Sequence, residues 1–421
     1  MRSWPRPEIP LLPGKGQIPA IHDSALGEKV ASAQPDATTA TIYVCGITPY
    51  DAAHMGHAAT YLAFDLLIRA WIDAGRQVTY AQCVTDVDDP LLERAEQTGQ
   101  DWRELAEEQT EVFRREMASL HLVPPDHYVA VADIAEQIAQ AGLVLQESGW
   151  AYPVPVDDAG PDLYADLSAD QLFGQVAHLD AKTMDELFAE RGGDPDRVGK
   201  RHRLDPLLWR ARRPGEPWWD SPLGQGRPGW HIECSVIAAS RLGVPFDIQG
   251  GGKDLFFPHH EMSISHLRGL TGVASPVGAH VHTGVIGLDG TKMSKSLGNL
   301  VLVSDLVAAG SPPAAIRLAL ISQHYRLDRD WTDTLLAEAT QRLAAWSEGL
   351  AAASDEGVDV GEGDPQAVAT LERMRTALAD DLDSPAAIAA VDEYVASGPP
   401  TPGGVALVRG AIGGLLGVEL G

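Results

Sequence analysis

Two short clusters in this chain have the residue types for phosphate chemistry. His54-Met55-Gly56-His57 sets two imidazoles around a glycine at the start of an expected helix. A helix start offers unpaired N–H groups, the glycine lets a nucleotide approach the backbone, and the imidazoles can donate to charge building on phosphate oxygens. Lys292-Met293-Ser294-Lys295-Ser296 places two of only seven lysines within four residues, between Asp289-Gly290 and Gly298. Two ammonium groups on a glycine-flanked loop can clamp a pyrophosphate leaving group and stabilise charge that exists only in the transition state. Taken singly, the clusters also suit plain loop histidines and a solvated basic loop. A third set is dispersed: Cys45, Cys234 and His259, the last followed by His260 and Glu261. Thiolate and imidazole are good zinc ligands, and three protein ligands leave a fourth tetrahedral position for a substrate atom. Buried core cysteines and a His-His-Glu string at a helix cap or surface account for the same residues.

These groups need elements to hold them. Ala40 to Cys45 is a β-branched and aromatic run ending at Gly46, followed from His57 by helical apolar spacing through Ala58, Tyr61, Leu62, Phe64, Ile68 and Trp71, with a stop at Gly75. Val78 to Val84 reads as the next strand, so residues 40–84 form a β-α-β unit of a parallel sheet, with loops at the strand carboxyl ends. Residues from about 100 to 215 read as helical and polar, broken by Pro124-Pro125, Gly192-Gly193 and Pro214-Gly215, which makes them an insertion between two halves of one sheet. The second half resumes with a helix from Trp230 to Leu242, a strand from Pro245 to Gln249 and another from His280 to Ile286. After Pro312-Pro313 the pattern turns helical, with Leu335, Leu336, Ala339, Leu343, Trp346 and Leu350 on one face, and residues 354–365 read as an acidic loop. The proline-rich stretch 1–38 is expected to be extended and irregular. The expected division is an N-terminal extension (1–39), a first core half (40–115), an inserted connective region (116–215), a second core half (216–300) and a C-terminal helical domain (301–421).

Composition narrows the partners. At 421 residues and 44% apolar content the chain can bury a large core, and no apolar run reaches the roughly 20 residues of a membrane span. No secretory signal is read at the N-terminus, and three widely spaced cysteines do not make a disulfide framework, so a cytoplasmic protein without membrane contact is expected. A net charge of -27 excludes a surface that attracts polyanions throughout. The stretch after Ser296 carries seven arginines, no lysine and eighteen acidic residues, so it repels RNA.

In their order and strand-loop-helix context, the histidine and lysine clusters resemble the paired ATP motifs of class I aminoacyl-tRNA synthetases. The resemblance implies that His54, His57, Lys292 and Lys295 act on the phosphates of ATP, with Mg2+ accompanying the nucleotide. Tyr43-Val-Cys-Gly-Ile-Thr-Pro-Tyr-Asp51, Cys83-Val-Thr-Asp-Val-Asp-Asp89, Gly229-Trp-His-Ile-Glu-Cys234 and Gly250-Gly-Gly-Lys-Asp-Leu-Phe-Phe-Pro-His-His-Glu261 further resemble the blocks of cysteinyl-tRNA synthetases. By that likeness Cys45, Cys234 and His259 hold one zinc per chain, which binds the thiolate of substrate L-cysteine and rejects serine, a far poorer ligand. Trp230 and Thr85 would line the amino-acid pocket, with Gly46, Ile47 and Thr48 near the substrate backbone and Thr60 near the adenylate. Gly252, Lys253 and Asp254 match the stretch that meets the ribose, and Ile286 lies near the adenine. Cys83 stands where the synthetases usually carry asparagine; with Val84 it is expected in the pocket wall and not as a ligand. The implied fold is α/β, a class I synthetase-like Rossmann core with an inserted region and a C-terminal helical bundle.

Two departures separate the chain from the synthetases. Ser263 stands where they usually have a glutamate as fourth zinc ligand, and the chain ends about 125 residues after the lysine cluster, with an acidic tail in place of an added anticodon-binding domain. Both features, with Ser3-Trp-Pro, Asp86-Val-Asp-Asp-Pro90, Glu190-Arg-Gly-Gly-Asp-Pro195 and Trp218-Trp-Asp-Ser-Pro222, resemble the mycothiol-pathway cysteine ligases of actinobacteria. That family joins cysteine, through a cysteinyl-adenylate, to the amine of glucosaminyl-inositol. The expected partners are L-cysteine, ATP and glucosaminyl-inositol, without tRNA, for a monomer. A cysteinyl-tRNA synthetase with a shortened C-terminal region is the alternative.

Overall fold

The structure is a computed structural model that describes residues 1–50, 52, 54–157, 159–293, 298–351, 364–398 and 400–421. Its centre is a five-stranded sheet in the order Val277–Thr283, Phe246–Gly252, Thr39–Ile47, Gln77–Val84, His127–Ala130. Every neighbouring pair is parallel. The earliest of these five strands in the chain, Thr39–Ile47, is therefore central, and the direction of strand addition reverses between it and Phe246–Gly252. Such a reversal opens a crevice at the carboxyl ends of the strands, where doubly wound sheets bind ligands. Burial explains the strand composition: Thr39–Ile47 is covered on both faces, so Ile42, Tyr43, Val44 and Cys45 run apolar without alternation.

Helix Met55–Asp73 covers one face of the sheet and is buried almost throughout its length. Its Asp65 accepts from Arg69 Nε at 2.7 Å and from the backbone N–H of Val123 at 2.7 Å, and pairs also with Arg317 of helix Pro313–Ile321. All three charged side chains are 1% exposed. The guanidiniums spend their other N–H groups on carbonyls of His121, Gly413 and Leu416. This satisfied ionic cluster joins the sheet-covering helix to the C-terminal helices, which continue the same apolar core. The helix predicted around Leu335 to Leu350 is Asp333–Gly349, with Ala339 and Trp346 buried and Leu335, Leu336 and Leu343 packed on the core. Of the loop expected at 354–365, residues 354–363 lie outside the described residues.

Three segments differ from the sequence expectation. The N-terminal stretch contains a hairpin, Ala20–Asp23 with Glu28–Ala31, between its prolines. The segment expected to be helical contains helices Trp102–Ser119 and Ala135–Glu147, but also the core edge strand His127–Ala130 and, continuing to Pro228, a four-stranded antiparallel sheet of Ala151–Val154, Asp162–Ala165, Leu207–Ala211 and Gly226–Pro228. The strand expected from His280 to Ile286 is two strands, Val277–Thr283 and Ile286–Leu288. Gly284 marks the break: a Cβ there would lie 2.1 Å from the carbonyl oxygen of Leu327, so only glycine lets the chain turn against that backbone.

Candidate active site

A cavity of about 520 Å³ opens at the carboxyl ends of the strands, at the reversal point of the sheet. Gly46 forms its floor beside Gln77–Val84, where a Cβ would stand 1.7 Å from the carbonyl oxygen of Cys83. The start of helix Met55–Asp73 makes one wall. His54 caps it, Nδ1 accepting from the Gly56 N–H at 3.0 Å, and the His54 and His57 rings stack with centroids 4.0 Å apart. No acidic residue occupies the first turn, so the positive helix end faces the cavity uncompensated from within that turn. Thr60 donates to the Gly56 carbonyl at 3.1 Å, and its hydroxyl meets that of Thr283 at 2.8 Å, tying the helix to the strand Val277–Thr283.

The opposite wall is Gly252, Lys253 and Asp254 at the end of their strand, with Ile286, Met293 and Leu300 beyond. Lys253 pairs with Asp328, whose other oxygen accepts from the Val285 N–H at 2.9 Å. Lys253 first, and then the Val285 bond, hold the Asp328 carboxyl below its ordinary range. Lys292 ends the short strand Thr291–Lys292, paired with Ile286–Leu288, and Lys295 lies outside the described residues.

Deep in the cavity Cys45, Cys234 and His259 converge from a strand end, a helix and the turn before a second helix, with their ligand atoms all within 4.8 Å of one another. The two sulfurs are 3.8 Å apart, and His259 Nε2 is 3.1 Å from Cys234 Sγ. The other His259 nitrogen meets His231 Nδ1 at 3.1 Å, and Trp230 stacks on its ring with centroids 4.4 Å apart. The ring plane is thus set from both sides. Burial pushes both thiols up, Cys234 well above its ordinary value, and pushes His259 down to about 3. Without a cation this pocket favours neutral groups. A divalent cation reverses that preference for the sulfurs, because a coordinated thiol is deprotonated. Two thiolates, one neutral imidazole and walls shared with the cavity fit a thiophilic ion such as zinc. Ser263 is occupied elsewhere, its hydroxyl donating to the His259 carbonyl at 2.7 Å with the His231 carbonyl 3.1 Å away.

Of the sequence-chosen residues, Cys45, Gly46, Ile47, Thr48, His54, His57, Thr60, Cys83, Thr85, Trp230, Cys234, Gly252, Lys253, Asp254, His259 and Ile286 all line this one cavity. Val84 does not; it is fully buried in its strand opposite Ala130. Cys83 Sγ accepts from the Gly46 N–H at 3.1 Å and sits 3.9 Å from Cys234 Sγ. Glu261 serves another purpose, its carboxylate accepting from the N–H groups of Gly174, Val176 and Ala177 and so pinning an insertion loop beside the His259 turn. Tyr50, Thr283 and Met293 line the cavity without having been singled out. Tyr50 was within reach of sequence reasoning, five residues after Cys45 in the same block. Nearby, Asp86 and Asp88 are pushed up to about 6 by burial, and Glu233 well above its ordinary value for the same reason.

Residues 32–341 match the family model of the tRNA synthetases class I (C) catalytic domain. Solved structures agree at the level of fold: a Mycobacterium tuberculosis methionyl-tRNA synthetase in complex with methionyl-adenylate aligns with a TM-score of 0.61 at 16% identity, covering 90% of each chain. A LeuRS-tRNA-LeuAMS ternary complex from Agrobacterium radiobacter K84 aligns with a TM-score of 0.65 at 14% identity, covering 92% of this chain and 84% of that one. Fold and matched domain define a class I aminoacyl-tRNA-synthetase-like protein. Full-length relatives narrow this further. A Cellulomonas flavigena L-cysteine:1D-myo-inositol 2-amino-2-deoxy-alpha-D-glucopyranoside ligase is 55% identical over 100% of both chains, and the Streptomyces griseus and Streptomyces coelicolor ligases of the same name are 53% and 52% identical over the same share. The chain belongs to this ligase family.

Proposed function

We infer that this protein is an ATP-dependent ligase that joins L-cysteine, through a cysteinyl-adenylate, to the amine of glucosaminyl-inositol, releasing AMP and pyrophosphate. The observation that carries the reading is the full-length likeness to ligases named for this reaction, at 52–55% identity across eight relatives.

The site supports a division of labour. Cys45, Cys234 and His259 would hold one zinc, which when bound supplies a Lewis-acidic anchor for a thiolate. With its sulfur at that end, cysteine presents its carboxylate towards the start of helix Met55–Asp73, and Trp230 and Thr85 flank it. Gly46, Ile47 and Thr48 contact its backbone. A carboxylate oxygen attacks the α-phosphorus of Mg-ATP as the bond to pyrophosphate breaks. His54, His57, Lys292 and Lys295 stabilise the charge that develops, Thr60 lies along the adenylate, and Gly252, Lys253, Asp254 and Ile286 receive ribose and adenine. In the second step the neutral sugar amine attacks the adenylate carbonyl, AMP leaves, and the amine proton passes to a carboxylate or the departing phosphate. A cytoplasmic setting, where thiols stay reduced, suits a site that needs free Cys45 and Cys234. We assign the core halves to residues 40–115 and 216–300, extended by the edge strand His127–Ala130, with the insertion between them and the helical domain after 300. We assign no role to tRNA and take the working form to be a monomer.

Mass spectrometry of purified protein with ATP, cysteine and glucosaminyl-inositol tests the reading. The amide product with stoichiometric AMP is expected. Charging of tRNA with cysteine and no amide would refute it.

A further inference from the structure

The buried histidines behind the candidate metal group form a continuous chain. His260 Nε2 is 3.2 Å from Cys45 Sγ, His260 Nδ1 is 2.7 Å from His282 Nε2, and His282 Nδ1 is 2.9 Å from Ser24 Oγ. His260 is fully buried and His282 is 8% exposed. Ser24 belongs to the N-terminal hairpin, whose turn is fastened to the strand carrying His282 by a 2.8 Å bond from the Ser24 N–H to the His280 carbonyl. None of these three residues lines the cavity itself, and the reaction outlined above does not use them.

We propose that Ser24, His282 and His260 are positioning residues, a one-way hydrogen-bond relay that aims and stabilises the Cys45 thiolate as a metal ligand. The inference rests on the metal reading of Cys45, Cys234 and His259. Its direction follows from donor and acceptor identity alone. A metal-bound thiolate only accepts, so His260 must carry its proton on Nε2. Nδ1 of that neutral ring is then a bare acceptor, and the group opposite it, His282 Nε2, must donate. His282 Nδ1 is left bare in turn and accepts from the Ser24 hydroxyl. No other arrangement of two neutral rings satisfies every contact while the sulfur is a thiolate, since reversing the His282 ring would set lone pair against lone pair across 2.7 Å. Packing holds the rings at these angles: Phe256 meets His282 edge-on with centroids 4.9 Å apart, and a Cβ at Gly251 would press within 3.0 Å of His260 Cε1. An N–H donated to a thiolate lowers the energy of the sulfur lone pair, and partners behind a ligand govern affinity as well as orientation.

Cobalt(II) loaded into the full-length protein in place of zinc reads this out, because its sulfur-to-metal charge-transfer band reports the energy of the sulfur lone pair. His282→Phe removes the donor to His260; Ser24→Ala cuts only the far link, at a half-buried position. Both variants are expected to move the band to longer wavelength, Ser24→Ala by less, and His282→Phe to weaken metal binding by about 10- to 100-fold. His282→Gln, whose amide restores a donor, should return the band towards that of the wild type. An unmoved band in cobalt-loaded Ser24→Ala and His282→Phe overturns the relay. If His282→Phe does not fold, the Ser24→Ala band decides alone. Failure of the wild type to take up cobalt or zinc overturns the metal reading itself, a result distinct from either.

Discussion

Replacing Asp65 by asparagine removes one charge from the core and keeps its shape. The variant leaves Arg69 and Arg317 facing each other without an anion, each 1% exposed. Breaking a buried ion pair by deleting one partner costs about 3–5 kcal/mol, because the remaining charge stays desolvated. An unfolding entropy of about 2.1 cal/mol/K per residue gives about 0.9 kcal/mol/K for 421 residues unfolding as one unit, so Tm falls by about 3–6 °C. A larger fall would mean a smaller cooperative unit, such as the C-terminal helices with helix Met55–Asp73. Burial pushes the Asp65 carboxyl up, and Arg317 and Arg69 more than offset it, so its folded pKa lies below the ordinary value. A carboxylate depressed in this way adds stability that is fully present above the unfolded pKa of about 3.9 and is lost as pH falls through the folded value. The gap between wild type and Asp65→Asn, followed by calorimetry, should therefore hold at neutral pH and close in strong acid. A Tm within 1 °C of wild type at neutral pH would refute the reasoning and assign the arginines' stability to their carbonyl bonds.

Cys234→Ser and His259→Ala should each lose metal together with cysteine-dependent ATP-pyrophosphate exchange, and zinc-edge absorption of the wild type should rise from two to three sulfur ligands when cysteine is added; an unchanged count rejects thiolate recognition. Asp88→Asn keeps the cap on helix Asp89–Thr98, since asparagine caps equally well, but removes a carboxyl that burial pushes up to about 6. A raised carboxyl pKa lowers stability as pH climbs from the unfolded to the folded value, so the variant should melt higher than wild type at about pH 8 and show little gain at about pH 4; equal gains at both would exclude the titration. Gly46→Ala should destabilise by about 1–3 kcal/mol or more and abolish exchange, because its Cβ meets the Cys83 backbone and not a movable side chain; wild-type melting would show that the two strands can part there.

The alternation of apolar runs and helical spacing made the parallel core readable, because Thr39–Ile47 and Met55–Asp73 are long, buried and uniform. Motif chemistry by itself pointed only to His54, His57, Cys45, Cys234 and His259 among the sequence-chosen residues of the cavity wall; the others came from the resemblance to cysteinyl-tRNA synthetases. The three- to five-residue strands of the antiparallel sheet were not legible, since Ala151–Val154 contains Pro153 and carries no period long enough to tell from a turn. Nor was the hairpin at Ala20–Asp23, which is stabilised by distant partners, Asp381 accepting from the His22 N–H at 2.8 Å. The partners of His260 and Glu261 were equally hidden. Sequence brought His-His-Glu to attention as a string, but three adjacent residues point three ways, to Cys234, to Cys45 and to the insertion loop.

The central place of the first core strand also has a timetable attached. Thr39–Ile47 can pair with Gln77–Val84 soon after both leave the ribosome, but its other edge waits for Phe246–Gly252, about 200 residues later. At about 5–20 residues per second the wait is about 10–40 s, during which the edge of an apolar strand stays unpaired. The same interval separates Cys45 from Cys234 and His259, so no metal can fasten the strand early. Shortening the insertion would shorten that exposure in proportion.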